Sequence, residues 1–237
     1  MKKTPLLFLL CLSVSLLTAC GNDPRSRISF KEVTKEEFDA YFTAEKVSAA
    51  KKGFESIKSF YMLCNQTTED MNYHLERYID TNYYYEYANY VEGETRRQSH
   101  ILYICDSNPD NSKRYAIDAD GTQDVTSGET VINAFNEDVE LDRGTITNIM
   151  EDNLRLLKEC LESPVPTYYV GSNNIIRVEA KDSKTESKGY VDFDKESLLI
   201  YSAHIDINSE YGNGTIEYSY SYHSFEHKSP QDIGFKQ

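Results

Sequence analysis

The stretch GTIEYSYSYHSF, Gly214 to Phe225, alternates without interruption: Ile216, Tyr218, Tyr220 and Tyr222 are large and apolar or aromatic, and the residues between them are small or polar. A period of two is the signature of a strand with one buried face. The preceding stretch SLLIYSAHIDIN alternates in the same way, and SEYGNG between the two contains Asn213-Gly214, a dipeptide suited to a tight hairpin turn. A hairpin closed there sets Ile207 opposite Ile216, Ile205 opposite Tyr218, Ala203 opposite Tyr220 and Tyr201 opposite Tyr222. Both apolar rows then share one side. His204, Asp206, Glu217, Ser219, Ser221 and His223 fall on the other, which suits water. The sheet therefore has a covered face, and amphipathic helices are its expected cover.

The chain supplies those helices in two places. Thr34 and Glu37 form a capping box at the start of KEEFDAYFTAEKVSAAKKGFESIKS, where Phe38, Tyr41, Phe42, Val47, Ala50, Phe54 and Ile57 recur at helical spacing and Thr43 or Gly53 is a point of interruption. ETVINAFNEDVE opens a second helical region, followed by a single stripe from Thr145 to Leu161 through Ile146, Ile149, Met150, Leu154, Leu157, Cys160 and Leu161. Between the helices, Phe60 to Thr67, Met71 to Asp80, Tyr83 to Glu92, Gln98 to Cys105 and RYAID read as an antiparallel meander. After Pro164 and Pro166, TYYV, NIIRVEAK and KGYVDFD lead to the final hairpin. With no linker or repeat, 34–237 reads as one α+β domain.

The other end of the chain carries an address. MKK, the apolar run TPLLFLLCLSVSLL and the tetrapeptide Leu17-Thr18-Ala19-Cys20 have the layout of a signal peptide over residues 1–19, too short for a permanent span. Leu17 to Cys20 resembles the lipobox of bacterial lipoproteins. The resemblance implies cleavage before Cys20, acylation of its sulfur and a partner membrane, with residues 20–33 as tether. Gly21 is not the Asp that retains some lipoproteins in an inner membrane, so the leaflet stays open. The formal net charge is -14 and becomes -16 once Lys2 and Lys3 are removed, since residues 1–19 contain no acid. Such a surface repels phosphate backbones, so nucleic acid is not an expected partner.

Few residues invite chemistry. Cys64, Cys105 and Cys160 match no metal spacing; one disulfide with a spare thiol, and three buried thiols, are both open. His74, His100, His204, His223 and His227 have no neighbouring nucleophile motif, and no catalytic group, cofactor or metal ligand is nominated. Asp118 to Asp124, DADGTQD, has acidic spacing akin to a calcium loop, but lacks its terminal Glu and reads as an Asp-Gly turn. In NYYYEYANYV, Tyr83, Tyr85 and Tyr87 share one face while Tyr84, Glu86 and Tyr90 share the other, the mark of a strand with two covered faces or one sticky one.

The order helix, strands, helix, strands, together with the lipobox and the closing SPQDIGF, resembles the lipoprotein-localisation-factor (LolA/LolB-like) superfamily. That resemblance implies a strongly curved antiparallel sheet, an incomplete β-barrel, with helices packed on its concave face and acyl chains bound between them. A hydrophobic cleft would then be lined by Phe54, Ile57, Leu154, Leu157, Tyr201, Tyr218, Tyr220 and Tyr222. Two functions follow: a lipid-anchored carrier of a hydrophobic or lipid ligand, or an interaction module of the same fold whose core is closed, with its protein partner unknown.

Overall fold

The computed structural model describes residues 28–209 and 212–236. The signal segment, Cys20 and the tether up to residue 27 lie outside the described residues. Among those described, the chain is α+β, with twelve strands in one unclosed antiparallel sheet and four helices. Strands β2 (Phe60–Thr68), β3 (Met71–Asp80), β4 (Tyr83–Glu92), β5 (Thr95–Ile104), β6 (Lys113–Ile117) and β7 (Gln123–Ser127) form one meander. β8 (Pro164–Gly171), β9 (Ile175–Asp182), β10 (Lys188–Asp194), β11 (Ile200–Ser209) and β12 (Gly212–Ser221) form a second, with β1 (Phe30–Val33) paired to β8 at its outer edge. The sheet order β1-β8-β9-β10-β11-β12-β2-β3-β4-β5-β6-β7 joins the two meanders through β12 and β2.

Helix α1 (Lys35–Asp39) starts at the Thr34/Glu37 capping box, and α2 (Ala44–Ser56) restarts at Thr43, whose hydroxyl accepts the Lys46 amide. The interruption therefore falls at Thr43, and Gly53 stays helical. The second helical region differs from its expected outline. One helix, α3 (Glu129–Glu151), fuses ETVINAFNEDVE with the start of the stripe, and α4 (Arg155–Cys160) is separate. The break is chemical: the Asp152 carboxylate accepts the Leu154 amide at 3.1 Å, a turn that competes with the helix. The restart shifts the helical phase, so Leu156 is buried beside Leu157 while Leu154 is only half-buried.

Alternate strand residues, among them Phe60, Ile79, Tyr84, Tyr103, Val178, Val191, Ile205 and Tyr220, share one core with Phe54, Phe135, Ile149 and Leu157 of the helices. The opposite face of β3 to β6 has its own small core, in which Tyr83, Tyr85 and Leu102 are covered by Phe225, Ile233 and Phe235 of the C-terminal segment. His227 lies flat on Tyr83, with ring centroids 4.0 Å apart. The tyrosine-rich strand thus has two covered faces.

The final hairpin keeps its expected faces but not its expected register. Ile205, not Ile207, pairs with Ile216, and Ala203 pairs with Tyr218, a slip of two residues that preserves parity. Asn213 and Gly214 consequently lie within β12, opposite Asn208 and Ile207. Gly214 serves a different purpose from a turn: a Cβ there would stand 2.6 Å from the Thr67 carbonyl oxygen of β2. A second correction concerns Tyr201. The β10/β11 register jumps from Asp192↔Ser202 to Phe193↔Ile200, a bulge that leaves Tyr201 unpaired and 48% exposed while Ile200 takes the interior position. Within the stretch read as tether, Phe30–Val33 is a strand.

Because the glycine fits by close approach, Gly214→Ala should lower the unfolding free energy by about 1–3 kcal/mol with little change in the denaturant slope. Urea unfolding checks this, and wild-type stability in the variant would mean that β12 and β2 do not approach as described.

Candidate functional site

The proposed cleft residues do not form one cavity. Tyr220 is 5% exposed and Leu157 is fully buried within the main core. Tyr222 meets Phe54 edge-on, with centroids 6.1 Å apart, and its hydroxyl donates to the Ile200 carbonyl at 2.8 Å. Tyr218 stacks on Tyr220 and faces Cys64 across the β12–β2 ladder. Burial raises the pKa of all three tyrosines, which keeps them neutral. Under the helices, then, the tyrosine row interlocks with helix side chains. Among the described residues, Cys64, Cys105 and Cys160 are free thiols, and burial pushes their pKa values up, which leaves them poor nucleophiles.

Phe54 and Ile57 do border a cavity, of about 680 Å3, on the flank of α2. Its floor is Ala49, Ala50, Gly53, Phe54, Ile57 and Leu199, and its rim carries Tyr41, Lys46, Asn174, Lys195, Glu196 and Ser197. Neither Leu154 and Leu157 nor the four tyrosines of the expected cleft line it. A second groove, of about 780 Å3 beside the final hairpin, is walled by charged residues including Lys181, Lys188 and Asp206.

Three sets of contacts hold the first cavity in shape. Arg143 of α3 donates to the carbonyls of Ile57 at 2.6 Å and Phe54 at 3.4 Å, so it caps the C-terminal end of α2, and its guanidinium lies over the Phe54 and Phe60 rings. Across the cavity, the Asp194 carboxylate accepts the amides of Glu196 and Ser197 and the Ser197 hydroxyl, which shapes the β10–β11 turn. That turn is tied to the β8–β9 turn by the Lys195 amide, which donates to the Asn174 carbonyl at 2.8 Å. Among the described residues, the non-glycine residues with positive φ are Asn174 (61°) and Leu198 (54°). Both belong to these two turns. A left-handed leucine is sterically unfavourable and persists only where its surroundings impose it; here Leu198 is buried and its amide donates to the Asp194 carbonyl.

A polar cluster lies beneath α3. Arg77 of β3 donates to Glu86 and to Asp142, each at 2.7 Å, and the Tyr84 hydroxyl donates to Glu86 at 3.2 Å. Asp142 is 8% exposed, and its second oxygen has no hydrogen-bond partner. Burial outweighs the Arg77 charge and, helped by Glu86 and Asp138, lifts the Asp142 pKa to about 6. On the other face of the sheet, Arg177 grips Asp192 through two bonds of 2.7 and 2.9 Å and lies between the Tyr190 and Phe30 rings.

The histidines are held by their neighbours. His74 contacts Asn65 and Glu76, His100 contacts Tyr85, and His204 lies between Asp206 and Glu217. The chain leaves the sheet before His223, which is exposed. Asp118 to Asp124 forms a turn in which the Asp118 carbonyl accepts the Gly121 amide at 2.8 Å, and Gly121 has φ 85°. Among the described residues, no group of three His, Cys, Asp or Glu is placed to hold a metal ion, and no helix is long and apolar enough to cross a membrane. Comparison of the sequence with protein-family models and with curated proteins finds no match.

Two measurements test this arrangement. Tyr220→Ala should cost about 3 kcal/mol or more by leaving a cavity, whereas Tyr201→Ala should change stability by no more than about 0.5 kcal/mol; equal effects would contradict the bulge. The second concerns pH. Folded Asp142 holds its proton up to about pH 6, above the ordinary value of 3.8, so the stability this group contributes is full below the ordinary value and falls as pH rises through that window. Asp142→Asn, which stays neutral, should therefore gain on wild type from about pH 4 to 6 and hold its lead above. A difference between the two that is flat with pH would place Asp142 in contact with water.

Proposed function

We propose that this chain is a lipid-anchored, non-catalytic envelope lipoprotein of the lipoprotein-localisation-factor type, exported and acylated at Cys20, which binds a hydrophobic ligand beside α2. Its sheet would be curved as an incomplete barrel, with the helices on the concave side. The observation that carries the binding reading is the cavity of about 680 Å3 with its floor of Ala50, Phe54, Ile57 and Leu199. That volume lies within the range of sites that enclose small molecules. The apolar character of the floor, set against a chain of net charge -14, argues for a ligand driven in by the hydrophobic effect.

A closed-core interaction module is the second reading. It is favoured by the packing of Tyr220 and Tyr222 with Phe54 and Leu157 in the main core. Native mass spectrometry of protein purified from its membrane separates the two. A co-purifying lipid-sized adduct is expected for the binder. A bare protein that no apolar compound stabilises against heat would favour the interaction module.

The anchor has its own test. Cys20→Ala should leave an uncleaved precursor that incorporates no labelled fatty acid, because thioether acylation needs the sulfur. Continued labelling would remove the lipobox from the argument.

A further inference from the structure

The rim of the α2 cavity is more specific than its floor. Lys46, in the first turn of α2, places its ammonium 5.3 Å from the centre of the Tyr41 ring, and Lys195, on the β10–β11 turn, places its own 5.2 Å from the same centre. Neither lysine has an ion-pair partner among the described residues. Two ammoniums thus gather around one aromatic ring, and the lining opposes them with a single acid, Glu196. Lys195 owes its position to the turn that holds Leu198 in a left-handed conformation and to the bond from its amide to Asn174. Backbone strain gathers at ligand sites when the ligand needs a side chain held in one place. Here it supports one of the two cations.

We propose that the cavity binds a single-chain amphiphile with a carboxylate head, a free long-chain fatty acid, whose head lies between Lys46 and Lys195 beside Tyr41 and whose chain runs over Ala49, Ala50, Phe54, Ile57 and Leu199. The proposal rests on the binding reading above and adds to it the charge of the head. The two ammoniums offer charge-assisted hydrogen bonds to the carboxylate. Tyr41 draws both ammoniums toward its ring, which gathers the two charges on one side of the cavity. Gly53 faces the floor with open space: a Cβ there meets nothing within 4 Å. This gap in the helix surface gives the chain its path, and a larger residue at 53 would fill it.

The test compares dodecanoate with dodecanol and dodecyltrimethylammonium, all below their aggregation concentrations, by calorimetric titration of wild type, Lys46→Gln/Lys195→Gln and Gly53→Leu. Dodecanoate should bind wild type and weaken at least tenfold in the double glutamine variant, while dodecanol binds the two proteins alike and the cationic amphiphile binds wild type least. Gly53→Leu should lose dodecanoate and dodecanol together while melting no lower than wild type, since leucine is the better helix former and its Cβ meets nothing within 4 Å. Equal affinity for dodecanoate in wild type and the glutamine variant overturns the head-group assignment and leaves the hydrophobic site standing. Binding to vesicles of anionic phospholipid without binding of dodecanoate overturns it as well. Failure of all three amphiphiles to bind wild type would remove the proposed function along with the inference.

Discussion

The pairing of β12 with β2 is the joint on which the sheet depends. Two meanders, each ordered by local hairpins, become one sheet because Gly214 through Ser221 runs antiparallel to Thr68 through Tyr61. The joint is set along one face of the strand. On the interior, Ile216, Tyr218 and Tyr220 must meet the helices; at one end, Gly214 must admit the β2 backbone where any Cβ would strike the Thr67 carbonyl. A shift of one residue would turn the tyrosines to solvent, and a shift of two that brought Ile216 to the glycine's place would drive a large side chain into the β2 backbone.

Buried charge locates the helices on this sheet. Arg77, reaching from β3 to Asp142 in the middle of α3, ties that helix to one place along the strand, and Arg143, one residue on, holds the end of α2. Desolvating such groups is expensive, and a hydrophobic replacement often gives equal or greater stability. What the arginines supply is direction, since Phe or Leu could settle at several positions along the strands whereas a guanidinium has few matching acceptors. The α2 cavity is a product of this arrangement. With its C-terminal end held by Arg143, α2 stands beside the β10–β11 turn, and Phe54 is shared between the core and the cavity floor.

Most strands could be read from alternation alone, and the limits of Met71–Asp80, Tyr83–Glu92 and Lys188–Asp194 coincide with those expected. Alternation gives parity but not offset, so the final hairpin had the right faces and a register two residues out. Asn213-Gly214 suggested a turn because glycine's conformational freedom is the more familiar reason for its use; its small size mattered here. The bulge at Tyr201 and the break at Asp152 are each decided by a single residue, although Asp152-Asn153 is a legible stop. Edge strands β1 and β7 are short and carry weak alternation. Of the candidate site, Tyr41, Ala50, Phe54 and Ile57 were legible as apolar positions of the first helical region. Lys46, Asn174, Lys195 and Leu199 were not legible as site residues, because the cavity is assembled from segments far apart in sequence. The trace they leave is modest: an Asp followed by Ser three residues later, as in Asp194-Lys-Glu-Ser197, marks a capped turn.

The position of β12 in chain order also governs how the molecule can assemble. Synthesised from its N-terminus, the chain forms the β2–β7 meander early, but β2 keeps an open edge, and Tyr83, Tyr85 and Leu102 stay bare until Phe225, Ile233 and Phe235 arrive. Both defects are repaired by the last part of the chain. Until then the nascent protein presents an unpaired strand beside an aromatic surface, the combination most prone to associate with other chains. Folding is thus deferred until β12 and the segment from Phe225 to Phe235 have been made, and the contacts that finish it span much of the sequence, which makes the final step slow. A chaperone that held the chain extended until these residues were free would suit this topology better than one that let the first meander close alone.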